Sequence, residues 1–154
     1  MQYWLFKTEP DAFSVDDLAN MPNQTEHWDG IRNYQARNYL RDQVKLNDQV
    51  FIYHSSCKYV GIVGLAEVVK EGYVDHTQFN PETKYHDPKS DPANPRWYMV
   101  DIKFKQKFDN LLSLKEIKTM HDIKDVGLVK KGHRLSIMPV NTREFEVLLK
   151  AAKS

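Results

Sequence analysis

The stretch Gln49–Val69, Q-V-F-I-Y-H-S-S-C-K-Y-V-G-I-V-G-L-A-E-V-V, decides how the rest of the chain is read. Gln49–His54 alternates in the manner of a strand, Ser55–Lys58 is a polar loop, and Tyr59–Val69 returns as a second strand. Strands joined by so short a loop pair antiparallel, because a parallel partner needs a long crossover. Gly61 and Gly64 inside the returning strand indicate a bulge, a sharp bend or the close approach of another group. A barrel corner uses glycines in this way.

Working towards the N-terminus, Leu46-Asn47-Asp48 is a turn. Tyr3–Lys7 (Y-W-L-F-K), closed by Glu9-Pro10, reads as a strand buried on both faces. Ser14-Val15-Asp16-Asp17 has capping-box spacing, so a short helix to about Ala19 is expected, stopped by Met21-Pro22-Asn23. A loop then delivers Trp28. Asp29-Gly30 is a turn signal, and Asn33 is the expected N-cap of a helix over Tyr34–Arg41.

Towards the C-terminus, Lys70–Arg96 is a long polar loop with four prolines and the aromatics Tyr73, Phe79 and Tyr85. Trp97–Phe104 is the next strand, extending towards Phe108. Ser113-Leu114-Lys115-Glu116 is a full capping box opening a helix to about Met120. Leu135–Val140 is a final strand, in which Pro139 demands an edge or a strand end. Asn141–Glu144 caps a last helix with the apolar stripe Phe145, Leu148, Leu149 and Ala152. The expected fold class is therefore α+β: five to six strands in a twisted, mainly antiparallel sheet curling towards a barrel, with short helices outside. No β-α-β rhythm with glycine-rich turns occurs, which argues against a dinucleotide-binding fold.

The 154 residues are most simply one domain, with 28% charged and 41% hydrophobic residues. No apolar run is long enough for a transmembrane helix. The N-terminus has no basic n-region, so no signal peptide is expected. The single cysteine, Cys57, excludes an internal disulfide and fits a reducing cytoplasm. A net charge of +1 means that any nucleic-acid binding must come from local placement of charge.

Local placement is conspicuous in Trp28–Arg41, W-D-G-I-R-N-Y-Q-A-R-N-Y-L-R, where Ile31, Ala36 and Leu40 are the only aliphatic side chains. Stacking rings, amides and guanidinium groups at this density suit a flat, hydrogen-bonding, negatively charged ligand. A nucleobase stacked on an aromatic ring gains about 1–3 kcal/mol, and amides or hydroxyls then read its edges. Trp28, Asn33, Tyr34, Gln35 and Asn38 supply the types for a base pocket beside His54 and Ser55, and Arg32, Arg37 and Arg41 supply phosphate contacts. A second basic stretch, Lys130-Lys131-Gly132-His133-Arg134, offers further phosphate contacts at Lys130, Lys131 and Arg134. Taken singly, Trp28 reads as a core tryptophan and the arginines as a solvated helix face. The six histidines show no metal-ligand spacing, no phosphate-cradling glycine loop occurs, and neither a metal nor a cofactor is expected.

Y-W-L-F-K-T-E-P at the start, W-D-G-I-R-N-Y-Q-A-R-N, the F-I-Y-H-S strand end, G-I-V-G-L-A-E-V, P-R-W-Y-M-V-D-I and L-S-I-M-P-V together resemble the EVE domain, in order and over essentially the whole chain. That resemblance implies a PUA-like barrel with flanking helices and kinship with the YTH readers of methylated adenine. It also implies a non-catalytic reader of modified bases in DNA or RNA, with a flipped base walled by Trp28. By analogy, Lys7, Thr8, the Asn33–Asn38 segment, His54 and Ser55 line the rest, Tyr85 or Phe79 opposes Trp28, and Trp97 joins the pocket. The compact chain resembles the bacterial form, so a cytoplasmic monomer with a nucleic-acid partner and no membrane partner is expected. The alternative is an enzyme acting on nucleic acid or nucleotides through His54 with Ser55 or Cys57. A third reading is a peptide-binding module.

Overall fold

Trp4, Leu5 and Phe6 are all inaccessible to solvent, so the aromatic N-terminal run is a strand covered on both faces. The computed structural model, which describes residues 1–154, places that strand, β1 (Tyr3–Thr8), inside a single sheet. The remaining elements are α1 (Val15–Asn20), β2 (Thr25–His27), α2 (Tyr34–Asn38), β3 (Gln49–His54), β4 (Gly61–Val74), β5 (Tyr98–Ser113), α3 (Leu114–Lys118), β6 (Ile137–Val140) and α4 (Thr142–Lys153). The strand order is β2-β5-β4-β3-β1-β6. Only β1 and β3 are parallel, with Phe6 opposite Ile52 and Thr8 opposite His54; every other pairing is antiparallel.

Alternation along β1 and β3 divides the core. Trp4, Phe6, Val50 and Ile52 face one side with Leu18 of α1 and Ala36 of α2. Leu5, Phe51 and Tyr53 face the other, where Ile117 of α3 and Phe145 and Leu148 of α4 cover them. Phe145 stacks on both Tyr3 and Phe51, at 4.0 and 4.7 Å between ring centres. Ser14 and Asp17 close the expected capping box on α1, Ser113 and Glu116 close that on α3, and Asn33 and Asn141 cap α2 and α4. Each such cap is worth about 1 kcal/mol.

The structure departs from the sequence reading in several places. Thr25–His27 forms the edge strand β2 where a loop was expected, because three polar residues carry no alternation to read. β4 and β5 run on to Val74 and Ser113, as a ribbon whose polar residues face solvent and pair across strands, as Lys105 does with Glu67. The helix expected over Tyr34–Arg41 is α-helical only to Asn38 and then widens into a π-turn at Tyr39–Gln43. α3 ends at Lys118, short of Met120, and β6 begins at Ile137, two residues after Leu135. Register shifts interrupt the ladder at Ile52/Tyr53 and Ile62/Gly64, and a side chain at Gly64 would meet the Gln106 carbonyl and Val15 at 2.8 Å. The glycine thus marks both a bulge and a close approach. The sheet ends at β2 and β6 with no ladder joining them, so these bulges bend it without closing a barrel by hydrogen bonds. Pro139 lies in edge strand β6, where its missing N–H costs no ladder bond on the open side. No helix is long and apolar enough to cross a membrane.

One buried carboxylate holds the α4 end of the sheet. Glu144, wholly inaccessible, accepts from the backbone N–H groups of Lys124 (3.2 Å), Asp125 (2.9 Å) and Val126 (2.9 Å). Burial pushes its pKa up, but these three donors and the Arg143 charge outweigh it, and the pKa lies below the ordinary glutamate value. A depressed folded pKa means stability that is full above the unfolded value and lost as pH falls through the folded one. Glu144→Gln, which turns an amide NH2 donor towards backbone N–H donors, is expected to cost about 2 kcal/mol at neutral pH. In urea unfolding, that gap should narrow as pH is lowered from about 7 to about 3. An unchanged gap would show that the charge of Glu144 contributes nothing.

Candidate nucleic-acid interface

Two cavities flank the C-terminal ends of the parallel pair β1 and β3, one on each face of the sheet, and Lys7 at the end of β1 lines both. Strand ends of this kind are where open sheets expose backbone and short loops for ligand contact.

The first cavity, of about 530 Å³, lies on the α1 face. Its aromatic lining is Phe13, Trp28 and Tyr85, with Ala12 and Ile31 as further apolar surface. Trp28 is only 7% exposed, packed against Phe6 and Phe13 at 5.8 and 5.9 Å between centres, and its backbone N–H donates to Val100. It is a core residue that shows the cavity one part of its ring. Tyr85, carried on the long loop, lines the same cavity. A side chain at Gly30, whose φ is +80°, would sit 2.6 Å from the Tyr85 ring, so glycine is required there twice over.

That arrangement depends on Asp75. Wholly buried, its carboxylate accepts from Gly30 N–H (2.9 Å), Arg32 Nη1 (3.0 Å) and the backbone and hydroxyl of Thr77. Burial alone pushes its pKa up; the Thr77 hydroxyl, the Gly30 N–H and Arg32 together bring it below the ordinary aspartate value. Arg32 completes the tie by donating Nε and Nη2 to the Tyr85 carbonyl, Nη2 to Thr77 Oγ1 and Nη1 to Ile31 O. Gln78, also buried, donates to the Asp75 and Trp97 carbonyls and accepts from Ser90 and the Arg96 and Trp97 N–H groups. The long polar loop is thus an ordered wall rather than a free segment.

Carboxylates stand among the rings. Glu9, Glu26 and Asp29 line the cavity with His27, Lys7 and Lys84. His27 lies between two of them, Nδ1 3.3 Å from Glu26 and Nε2 3.5 Å from Asp29. Burial raises the pKa of Asp29 above the ordinary value, and the neighbouring Asp75 charge adds to it. Burial likewise raises that of Glu26. Burial lowers that of Lys7.

The expected pocket residues therefore separate. Lys7, Thr8, Trp28 and Tyr85 line the cavity, and Thr8 Oγ1 donates to the Phe13 carbonyl. Asn33 does not: its Oδ1 is spent capping α2 through Ala36 N–H. His54 Nε2 accepts from Val15 N–H at 3.1 Å, which fixes the start of α1, and the Ser55 N–H donates to the Thr8 carbonyl. Burial lowers the His54 pKa, in keeping with a neutral acceptor. Tyr34 is 52% exposed and stacks on Trp97 at 4.9 Å, outside the cavity. Trp97 is buried, its indole N–H donating to Asp87 at 2.7 Å, which draws the Asp87 pKa down. Gln35 and Asn38 are exposed, and Asn38 Oδ1 accepts from Arg37 and Arg41. Phe79 lines neither cavity.

Nor do the helix arginines form one phosphate surface. Arg32 has its donors taken inside the protein. Arg37 lies over the Tyr34 ring and donates to the Arg96 carbonyl, and Arg41 pairs with Asp42. Lys130, Lys131 and Arg134 do come together, on the opposite face, where they line the second cavity. Phe13, Glu26, Asp29, Lys118, Lys124 and His133 were missed as lining residues. Phe13 sits one residue before a helix cap and reads there as a packing residue, His133 lies inside the basic stretch without being one of its expected phosphate contacts, and the other four are single charged residues without a spacing pattern.

Comparison with known proteins fits this geometry. Residues 2–151 match the family model for the EVE domain. Thymocyte nuclear protein 1 of Danio rerio is 43% identical over 163 residues, covering 95% of this chain and 70% of that protein. The human protein is 42% identical, over 96% of this chain and 72% of its own. A crystal structure from Pseudomonas syringae superposes with a TM-score of 0.93 at 42% identity, over 97% of this chain and 99% of that one. Human THYN1, crystallised in complex with 5-methylcytosine containing DNA, superposes with a TM-score of 0.95 at 40% identity, covering 100% of this chain and 99% of its own. A fold carried over its full length at such identity, and a family match that leaves out only the outermost residues, make this chain a member of the EVE-domain family.

Proposed function

We propose that this protein is a non-catalytic reader of modified cytosine in DNA. A base rotated out of the duplex enters the cavity between Trp28, Phe13 and Tyr85. The observation that carries this reading is the lining itself: rings to stack a base, carboxylates to accept from an amino edge, and aliphatic surface for a methyl group. Carboxylates accept from the cytosine N4 amino group and present only repulsion to the O4 of thymine. Ala12 and Ile31 offer the apolar contact that a C5 methyl group rewards. The human relative crystallised with 5-methylcytosine containing DNA supports the choice of ligand.

His54 supports the non-catalytic half of the proposal. A general base needs a free lone pair beside its nucleophile, and His54 gives its Nε2 lone pair to Val15 N–H, while the Cys57 thiol donates to the Tyr59 carbonyl at 3.5 Å. Mass spectrometry of methylated oligonucleotides incubated with the protein is expected to show no product. Turnover abolished by His54→Ala would replace the reader with an enzyme.

Titration of the protein with methylated and unmethylated duplexes tests the pocket. Tyr85→Ala is expected to lower affinity for the methylated duplex by about 1–3 kcal/mol, with far less effect on the unmethylated one. Gly30→Ala, which displaces Tyr85, should do the same without removing any side chain. Equal affinities of wild type and both variants for the two duplexes would sink the reading. Asp29→Asn keeps the shape but gives the pocket a donor, so the preference for cytosine over thymine at the flipped position is expected to fall by about 1–3 kcal/mol. If discrimination survives that change, Asp29 does not read the base.

A further inference from the structure

Charge sorts the two cavities. The first holds three carboxylates, which repel phosphate. The second, of about 850 Å³ on the opposite face of the sheet, is lined by Lys7, Lys118, Lys124, Lys130, Lys131 and Arg134 and by no carboxylate. None of these six charged groups is held in an ion pair with a carboxylate. In a chain whose net charge is +1, six unpaired cations around one concavity are a local concentration that composition does not require.

The cleft is also built, not merely decorated. Its apolar floor is Tyr53, Leu114, Ile123 and Leu128. Lys124 is carried on the segment whose N–H groups Glu144 grips from below. Gly132, with φ +76°, turns the chain between Lys131 and His133. His133 packs so closely on Gly127 that a side chain there would collide with its ring at Nε2. Its Nδ1 is the one buried side-chain nitrogen or oxygen in the protein that has no hydrogen-bond partner. Buried polar atoms are satisfied in nearly every folded protein, so this atom is an exception within a residue that lines the basic cleft.

We infer that this cleft is a phosphate-binding subsite that holds the phosphodiester backbone next to the flipped base, with Lys7 as the residue common to both. This rests on the base-reading proposal for the identity of the polyanion, while the anion chemistry stands on the cleft alone. Phosphate contacts position a nucleic acid without reading its sequence, and each releases counterions that make binding salt-dependent.

The test is the salt dependence of binding to methylated and unmethylated duplexes by the full chain. The triple variant Lys124→Gln, Lys130→Gln, Arg134→Gln removes charge at exposed positions, and its unfolding midpoint checks that the fold is kept. The slope of log affinity against log salt is expected to fall by about 1 for each residue replaced. Both duplexes should weaken by the same factor, leaving the preference for methylation unchanged. Tyr85→Ala should do the reverse, removing the preference and keeping the slope. A matched variant at Lys89, Lys103 and Lys153, which line neither cavity, should leave both quantities as they are. An unaltered slope in the cleft variant, or an equal fall in the matched one, overturns the inference. Inorganic tripolyphosphate supplies the other source of the same chemistry. If it binds the wild type and loses binding in the cleft variant while the DNA slope stays fixed, the occupant is a free polyphosphate and the backbone assignment is wrong. If the slope falls but wild type shows no preference for methylation, the cleft stands and the base-reading proposal fails.

Discussion

The buried Asp75 carboxylate is the interaction on which the aromatic cavity depends. It joins two segments that share no secondary structure: the loop that carries Gly30 and Arg32, and the short helical turn at Thr77. Removing a charge from water costs several kcal/mol unless donors replace the lost hydration, and here four donors converge on two oxygens. Arg32 then carries the tie onward to the Tyr85 carbonyl, so the ring is positioned through its backbone. The ring itself packs on Gly30, which fixes how it borders the cavity. The same logic recurs at Glu144, where one carboxylate spends both oxygens on the backbone beneath the basic cleft. Each cavity thus has a buried carboxylate behind its wall.

Much of the fold was legible because its signals are local. The Gln49–His54 strand, the caps at Ser14, Asn33, Ser113 and Asn141, and the edge position of Pro139 each follow from a few adjacent residues. What escaped was decided by distant partners. β2 exists only because β5 offers it a ladder, and the solvent-facing ends of β4 and β5 are strands through cross-strand pairing rather than apolar alternation. The parallel pairing of β1 with β3 has no signature in either strand.

The site shows the same division more sharply. Trp28 and Tyr85 stand out by residue type and do line the cavity, as do Lys7 and Thr8, which resemblance to known EVE domains pointed out. Asn33 and His54 have the right chemistry but spend it on helix starts, since a side chain near an N-terminus finds unpaired N–H groups before any ligand does. Arg32 looked like a phosphate contact because sequence shows a charge and not its partner. Asp75, 43 residues further on, is that partner. The dense polar stretch from Trp28 to Arg41 therefore splits into a wall, a cap, a tie and an exposed stack of Tyr34 on Trp97.

The sheet order also has a consequence for how the protein is made. β1 leaves the ribosome first, yet its two neighbours are β3 and β6, whose residues begin at Gln49 and Ile137. This buried aromatic strand must wait for Ile137 and the residues after it before its second edge is covered. Pairings of such long sequence separation are slow to form, because the loop entropy is lost before the contacts are gained. Until then Trp4, Leu5 and Phe6 are an exposed β-forming segment, open to other chains as well as its own. The basic residues just before β6 arrive with the strand that ends this exposure. The basic cavity, lined in part by Lys130, Lys131 and Arg134, is complete only with that last strand, whereas every residue lining the aromatic cavity has been made by Tyr85, so the two surfaces are finished at different points of synthesis.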